Sequence, residues 1–478
     1  MEKRLLKKNE DIEIRISDMA FGGVGIGKLQ TEKGDFAVFV QNTIPGQLVS
    51  ARVEKCDKRY AVCKLVDVLE ASPDEVEIPY QPIPGAPYAT LPVVLQQEYK
   101  KRTTLELFKR IGKVENIEAL LDEFISSPSQ WHYRNKMEYS FSAIRFDLEE
   151  KKEMDDFGLG FKHRGTWWSV ENLDKESGLF DEEFENFLAD VRRWTIQSNL
   201  PPWHPPKREG FYRFLVARKS FLTNQLLLNL VTSDQGLDRF EVENFSAFLR
   251  QRLGSRLAGF IHTINPDIGD RVEPLNGSGR LVFGESKIVE EILGLKFEIS
   301  MTSFFQTNPR SAELLYSKVI DYVVEPGLQD DGFILDLFCG TGTIGQLIAR
   351  KTGRDVIGVD IVESAIEDAA LNAERNAIGN VRFHAADVGK FLLEFPEYQN
   401  KISCVVLDPP RGGIAPKTLR KVISLGAPRI VYVSCNPSTQ ARDAIELATA
   451  GYLLKKISLV DQFPHTSHIE TVALFEKN

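Results

Sequence analysis

Cysteine is scarce in this 478-residue chain and long apolar runs are missing, and each shortage removes a class of protein. No apolar stretch reaches the ~20 residues needed to cross a bilayer, so no membrane contact is expected. The opening Met1-Glu-Lys-Arg-Leu-Leu-Lys-Lys-Asn9 is charged and lacks a signal peptide's apolar core, which makes the cytoplasm the expected compartment. The five cysteines (Cys56, Cys63, Cys339, Cys404 and Cys435) are odd in number and scattered, against a disulfide framework. None stands in C-x2-C spacing, so neither a zinc ribbon nor another metal site is expected; Cys56 and Cys63 read as strand residues of a small barrel. No Gly-Lys-Ser/Thr follows a glycine loop, which disfavours a phosphate-binding loop. No internal repeat or low-complexity tract is present. Positive charge is also short: the net charge is −9, so binding of a polyanion would require a local basic surface.

What is present falls into three parts. Residues 10–69 read as five short strands, Asp11–Ile16, Gly25–Leu29, Asp35–Val40, Leu48–Lys55 and Ala61–Leu69, which suggests a small closed barrel of the OB type. The run Gly22-Gly23-Val24-Gly25-Ile26-Gly27 is expected to be mostly loop. Six prolines between Ser72 and Pro92 predict an irregular linker, followed by a helix over Val93–Ile111. Strand-like and helical stretches from about 120 to 290 predict an α+β middle domain. From about 300, apolar strands Ile334–Phe338, Val356–Asp360, Val381–Ala385, Cys404–Leu407 and Ile430–Ser434 alternate with helices, the pattern of a doubly wound α/β sheet. Leu453–Val460 and His468–Phe475 read as a closing antiparallel hairpin. The expected domains are 1–70, 71–295 and 296–478.

Asp336-Leu-Phe-Cys-Gly340-Thr-Gly342 follows the first of these strands and opens a helix, so Gly340 and Gly342 would let a ligand approach the backbone at the carboxyl end of the sheet. Asp360 ends the second strand, placed for ribose hydroxyls, and Asp387 follows the third, placed for an adenine amino group. Together the three loops point to a nucleoside cofactor.

After the fourth strand comes Asp408-Pro-Pro-Arg411-Gly-Gly413. Methyltransferases acting on amino groups carry an aromatic residue where Arg411 stands, which disfavours exocyclic nitrogen as the target. After the fifth strand comes Ser434-Cys435-Asn436-Pro437, and a thiol at this edge, beside the presumed cofactor, can reach a substrate. Cys339 and Cys404 read as buried small residues. The chemistry that needs such a thiol is methylation of carbon 5 of uracil, a poor nucleophile until a thiolate adds to carbon 6. A base must then remove the carbon 5 proton. Glu470, His465 and His468 are the candidates.

Taken together these motifs, with Ser303-Phe-Phe-Gln306-Thr-Asn308 and His468-Ile-Glu470-Thr-Val472, resemble the RNA 5-methyluridine methyltransferase family, which modifies uridines in 23S rRNA and in the tRNA T-loop. The resemblance covers nearly the whole chain. It implies a Rossmann-like class I methyltransferase domain using S-adenosylmethionine, with cofactor contacts from Gln306, Phe338, Asp360 and Asp408, Cys435 as nucleophile and Glu470 as base. The barrel resembles a TRAM domain, an RNA-binding module whose presence favours the 23S rRNA branch over the bacterial tRNA branch. Arg134 and Lys136, in Tyr133-Arg-Asn-Lys136, match a family stretch and are candidates for RNA phosphate contact. Several rRNA members carry a four-cysteine iron–sulfur cluster. Here Tyr80–Thr90 has no cysteine, so no cluster is expected and the linker would be held by proline stiffness and packing of Tyr80 and Tyr88. The resemblance therefore implies a monomeric enzyme of rRNA processing and RNA modification that binds RNA, not DNA, and methylates an unpaired 23S rRNA uridine through Cys435. The alternatives are the same reaction on tRNA and a catalytically inactive RNA-binding factor.

Overall fold

The computed structural model describes residues 5–31, 34–275, 277–326, 332–398 and 401–478; the first four residues of the expected barrel domain lie outside them. The chain divides into two compact units, one drawn from residues 1–77, 87–130 and 310–478, the other from 78–86 and 131–309.

The first unit opens with β1 (Asp11–Ala20), β2 (Val24–Thr31), β3 (Gly34–Gln41), β4 (Leu48–Cys56) and β5 (Tyr60–Glu70), which close into a barrel in the order β1-β2-β3-β5-β4. Alternating residues such as Ile14, Ile16, Val38, Val40, Val49, Ala51 and Val53 fill its interior, the period-two pattern of a strand with one dry face. Cys56 and Cys63 belong to that interior.

The run Gly22–Gly27 is less loop than expected, and the strand expected from Gly25 begins one residue earlier. Gly22 and Gly23 make the turn at positive φ, but β2 already runs from Val24. Gly25 and Gly27 are strand residues because a Cβ there would lie 2.0 Å from Thr43 Oγ1 and 2.3 Å from Ile14 Cγ1. Residues 71–92 form no regular element, after which come α1 (Val93–Arg110), the single turn α2 (Ile117–Leu120) and β6 (Leu121–Ile125).

The second unit holds β7 (Lys136–Asp147), β8 (Lys152–Lys162), β9 (Val170–Asn172), α3 (Glu182–Gln197), β10 (Tyr212–Lys219), β11 (Leu226–Thr232), α4 (Val242–Leu253), β12 (Leu257–Ile264) and β13 (Ser278–Gly284). Its seven strands form one mixed sheet in the order β13-β12-β11-β10-β7-β8-β9. The helices meet through Phe187, Trp194, Phe245 and Phe248. A hairpin of β14 (Lys287–Ile292) and β15 (Leu295–Ser300) follows. This unit runs on to residue 309, past the boundary expected at 295, because β15 pairs backwards onto β14.

The first unit resumes with α5 (Pro309–Val323), β16 (Phe333–Leu337), α6 (Thr343–Thr352), β17 (Val356–Asp360), α7 (Glu363–Arg375), β18 (Val381–Ala385), the single turn α8 (Phe391–Glu394), β19 (Ile402–Leu407), α9 (Pro416–Ser424), β20 (Arg429–Ser434), α10 (Pro437–Thr449), β21 (Tyr452–Val460) and β22 (Glu470–Lys477). Eight strands make one sheet in the order β18-β17-β16-β19-β20-β22-β21-β6. The five from β18 to β20 are parallel, β22 and β21 close antiparallel, and β6 adds parallel to β21. Strand order reverses at β16, the switch point where open α/β sheets bind ligands. Leu105 and Phe108 of α1 and Ile117 of α2 share the core of this sheet with Leu335, Val405 and Ile430. The helix expected in the 71–295 domain, and the edge strand β6 within the same span, are therefore parts of the sheet-bearing unit. No helix among the described residues is long and apolar enough to cross a membrane.

Candidate active site

The cofactor loop leaves β16 through three residues at positive φ: Phe338 (62°), Gly340 (52°) and Gly342 (73°). The Gly342 N–H donates to the Cys339 carbonyl at 2.8 Å, which tightens the turn before α6. A Cβ on Gly342 would sit 2.5 Å from the Phe383 ring, whereas one on Gly340 would meet nothing within 4 Å. Gly342 is needed for packing, and Gly340 faces open space. Asp360, at the end of β17, accepts the Gly340 N–H at 2.9 Å and the Val362 N–H at 3.0 Å. The next two side chains, Ile361 and Val362, are apolar yet 69% and 50% exposed. Asp387 stands exposed just after β18. A carboxylate, an open glycine and bare apolar surface side by side fit an adenosine: hydroxyls for Asp360, a flat ring for the apolar pair.

Asp336 received no role in the sequence reading. It lies fully buried in β16, and burial, followed by the charges of Asp408 and Asp360, pushes its carboxyl up to about 8. A Cβ on Gly345 would come within 2.9 Å of its Oδ2, so the first turn of α6 closes directly over it. The available signal was an acidic residue inside the apolar strand Phe-Ile-Leu-Asp-Leu.

Asp408 follows β19 and donates its N–H to the Leu337 carbonyl at 3.3 Å, which ties it to the cofactor strand. Burial pushes its carboxyl up to about 7. Cys435 follows β20, and burial, then the charges of Glu470 and Asp408, push its thiol up to about 11, with Arg411 opposing. Glu470 is 4% exposed; burial and then Asp408 push it up to about 8, again against Arg411. Asp408 and Arg411 act on both Cys435 and Glu470, and Glu470 acts on Cys435, which brings the four groups into one site.

The scaffold beneath them is hydrogen-bonded through. Thr471 Oγ1 donates to Gln440 Oε1 at 2.7 Å, and Gln440 Nε2 donates to the Tyr432 carbonyl at 2.7 Å, which joins β22, α10 and β20. The Asn436 side chain accepts the Ser438 N–H at 3.3 Å as the cap of α10, with Pro437 in the first turn. Its Nδ2 donates to the Arg411 carbonyl at 3.0 Å, holding the Asp408–Gly413 loop beside Cys435.

The competing bases are placed elsewhere. His465 is buried at φ 67° with its ring Nδ1 3.2 Å from Gln96 Nε2, and burial pulls its pKa down to about 4. His468 is exposed, edge-on to Phe463.

Gln306, Arg134 and Lys136 belong to the second unit. The Gln306 carbonyl accepts Asn135 Nδ2 at 3.1 Å and the Thr307 carbonyl accepts the Asn135 N–H at 2.8 Å, so the two family stretches are packed together. Lys136 pairs with Glu138 at 2.9 Å, and Arg134 lies 5.9 Å from the Tyr133 ring. In the linker, Tyr80 packs on Trp131 at 4.5 Å, and Tyr88 Oη donates to the Gly23 carbonyl at 2.8 Å.

Comparison with known proteins agrees with this geometry. Residues 282–478 match the family model of tRNA (uracil-5-)-methyltransferases, and residues 6–66 match the TRAM domain. An RNA methyltransferase of Clostridium tetani is 36% identical over 98% of both chains. One of Caldanaerobacter subterraneus is 37% identical, covering 99% of this chain and 100% of its own. The structure of Pyrococcus abyssi tRNA (uracil-54, C5)-methyltransferase with S-adenosyl-L-homocysteine is similar, with TM-score 0.70 and 26% identity over 97% of this chain and 100% of its own.

Proposed function

The chain belongs to the family of S-adenosylmethionine-dependent RNA uracil-C5 methyltransferases, and on that premise we propose that it methylates a uridine of 23S rRNA through a covalent bond from Cys435. The observation that carries this reading is the shared site of Cys435, Glu470 and Asp408 at the carboxyl edge of the sheet.

Asp360, Gly340 and Phe338 are the residues that would hold the cofactor, with Asp387 toward its adenine and Asp408 nearest the reacting groups; Gln306 is a further candidate for a cofactor contact. When bound, S-adenosylmethionine supplies an electrophilic methyl on sulfur. Cys435 Sγ adds to carbon 6 of the uracil and its proton passes to Asp408. The electron pair of the carbon 5–carbon 6 double bond moves into an enolate, which makes carbon 5 nucleophilic toward the methyl that the bound cofactor would supply, leaving its sulfur as the neutral thioether. Glu470, as carboxylate, then removes the carbon 5 proton. The electrons of that C–H bond rebuild the double bond and expel Cys435 as thiolate. Burial serves this sequence by excluding water from an intermediate that water could protonate.

The barrel would grip backbone and unpaired bases flanking the exposed uridine, and Arg134 and Lys136 are separate candidates for phosphate contact. The enzyme acts as a monomer in the cytoplasm. The barrel supports the 23S rRNA assignment. A second reading, tRNA as substrate, is favoured by the likeness to the Pyrococcus abyssi enzyme, whose target is uracil 54 of tRNA. Incubation of purified 23S rRNA and tRNA lacking 5-methyluridine with radiolabelled cofactor, followed by nucleoside digestion, tests the reading. Labelled 5-methyluridine from 23S rRNA alone is expected; label in tRNA alone moves the substrate, and label in any other nucleoside overturns the chemistry.

A further inference from the structure

Glu470 leaves the hairpin loop between β21 and β22, residues 461–469, and that loop is held by groups remote in sequence. Lys100 of α1 and Asp461, only 5% and 0% exposed, form an ion pair at 2.6 Å. Lys100 Nζ also donates to the Phe463 carbonyl at 3.0 Å. One turn earlier on α1, the buried Gln96 accepts the His465 N–H at 2.7 Å and lies 3.2 Å from the His465 ring. The His465 carbonyl in turn accepts the Tyr88 N–H at 3.1 Å. These bonds hold His465 at φ 67°, a left-handed conformation that a non-glycine residue keeps only where its surroundings over-determine it. The barrel joins through Gly23, whose carbonyl accepts Tyr88 Oη and where a Cβ would lie 2.8 Å from Ser467 Cβ.

A buried ion pair is a poor device for stability, since apolar residues of similar size often do as well, so its use here calls for another reason. Strand pairing fixes the backbone of Glu470, opposite Val460, but Glu470 is the first residue of β22 and its side chain depends on how the loop arrives.

We propose that Lys100 and Gln96 are positioning residues, which clamp the Asp461–Ile469 loop and thereby aim the Glu470 carboxylate at the carbon 5 proton. This rests on the covalent reading above. It gives α1 and the linker a part in the second half of the reaction, proton removal, and none in the first, attack by Cys435.

The division of labour supplies the test. The double variant Lys100→Met/Asp461→Leu removes both charges together and leaves no buried charge unpaired, so it should fold. Wild type and variant are compared for thermal midpoint, RNA affinity, turnover on uridine RNA, and denaturant-stable protein–RNA adduct on both uridine and 5-fluorouridine RNA. The variant should keep its midpoint, bind RNA within about two-fold, and still trap on 5-fluorouridine RNA. Its kcat on ordinary uridine should fall about ten-fold or more with kcat/KM nearly unchanged, so that KM falls alongside, while adduct accumulates on that ordinary RNA. Lys100→Arg should restore part of the turnover. Unchanged kcat, or a loss of kcat without accumulated adduct, overturns the clamp. A wild type that never traps on 5-fluorouridine RNA overturns instead the covalent reading on which the clamp depends.

Discussion

Cys435 and Glu470 leave one edge of the sheet from neighbouring strands: the last pair between β20 and β22 is Ser434 with Thr471, and each reactive residue stands one step beyond it. The proposed nucleophile and the proposed base are thereby placed side by side by the backbone ladder, with Asp408 arriving from β19. The electrostatic consequence falls on the thiol, because the charge of Glu470 is the second cause, after burial, of its raised pKa.

Removing that charge should make the thiol easier to ionise. Glu470→Gln is expected to lower the Cys435 pKa from about 11, read as faster alkylation of Cys435 at pH 9, where the wild-type Glu470 is ionised. Equal or slower alkylation would show that the two groups do not interact.

The same variant lacks the proposed base. Glu470→Gln should lose about 100-fold to 10,000-fold in turnover, and should accumulate methylated RNA bound to Cys435 on ordinary uridine substrates. Denaturing electrophoresis reads the adduct directly. A variant that turns over normally would hand the role to another group.

Buried carboxyls tie stability to pH, Asp336 and Glu470 over the widest window. Asp336 and Glu470 are each pushed up to about 8 in the folded protein, so over the window from about 4 to 8 the folded state holds protons that the unfolded chain releases. Their contribution is fully present below the unfolded pKa values and is lost as pH rises through 8. The ligand-free protein should therefore melt at lower temperature at pH 8.5 than at pH 6. Each group contributes at most ~1.4 kcal/mol per pH unit. Asp336→Asn and Glu470→Gln should each flatten the slope in a calorimetric series; slopes like the wild type's would contradict the assignment.

The two glycines of the cofactor loop should respond differently. Gly342→Ala combines positive φ with a 2.5 Å approach to the Phe383 ring and should cost about 1–3 kcal/mol of stability. Gly340→Ala meets no protein atom, so it should leave the melting temperature closer to the wild type's and weaken S-adenosylhomocysteine binding instead. Calorimetric titration beside thermal melts separates the two.

Much of this was legible in the sequence because the signals are local. The period-two strands of the barrel, the five apolar strands and the loops after them could be read from residue order alone. What escaped depends on distant partners. Leu121–Ile125 is a short, half-polar run that becomes a strand only as the edge partner of β21, more than 300 residues later. The assignment of α1 to the sheet-bearing unit rests on Phe108 and Leu105 meeting a core built from residues 335–475. Gly25 and Gly27 fall both in a run expected to be mostly loop and in a strand expected from Gly25, because the crowding by Thr43 and Ile14 that demands glycine there is a property of the closed barrel. Glu470 as a lone acid in a strand would ordinarily be solvated; its burial follows from the neighbours that the sheet brings to it.

The central claim is the covalent bond from Cys435 to the uracil ring. The most direct measurement is denaturing electrophoresis of the enzyme after incubation with S-adenosylmethionine and 5-fluorouridine-substituted 23S rRNA fragments, with Cys435→Ala alongside. Fluorine on carbon 5 cannot leave as a proton, so the wild type should be trapped as a protein–RNA adduct that needs both the cofactor and Cys435. An adduct that persists in Cys435→Ala, or none with the wild type on either 23S rRNA or tRNA despite confirmed cofactor binding, would contradict it.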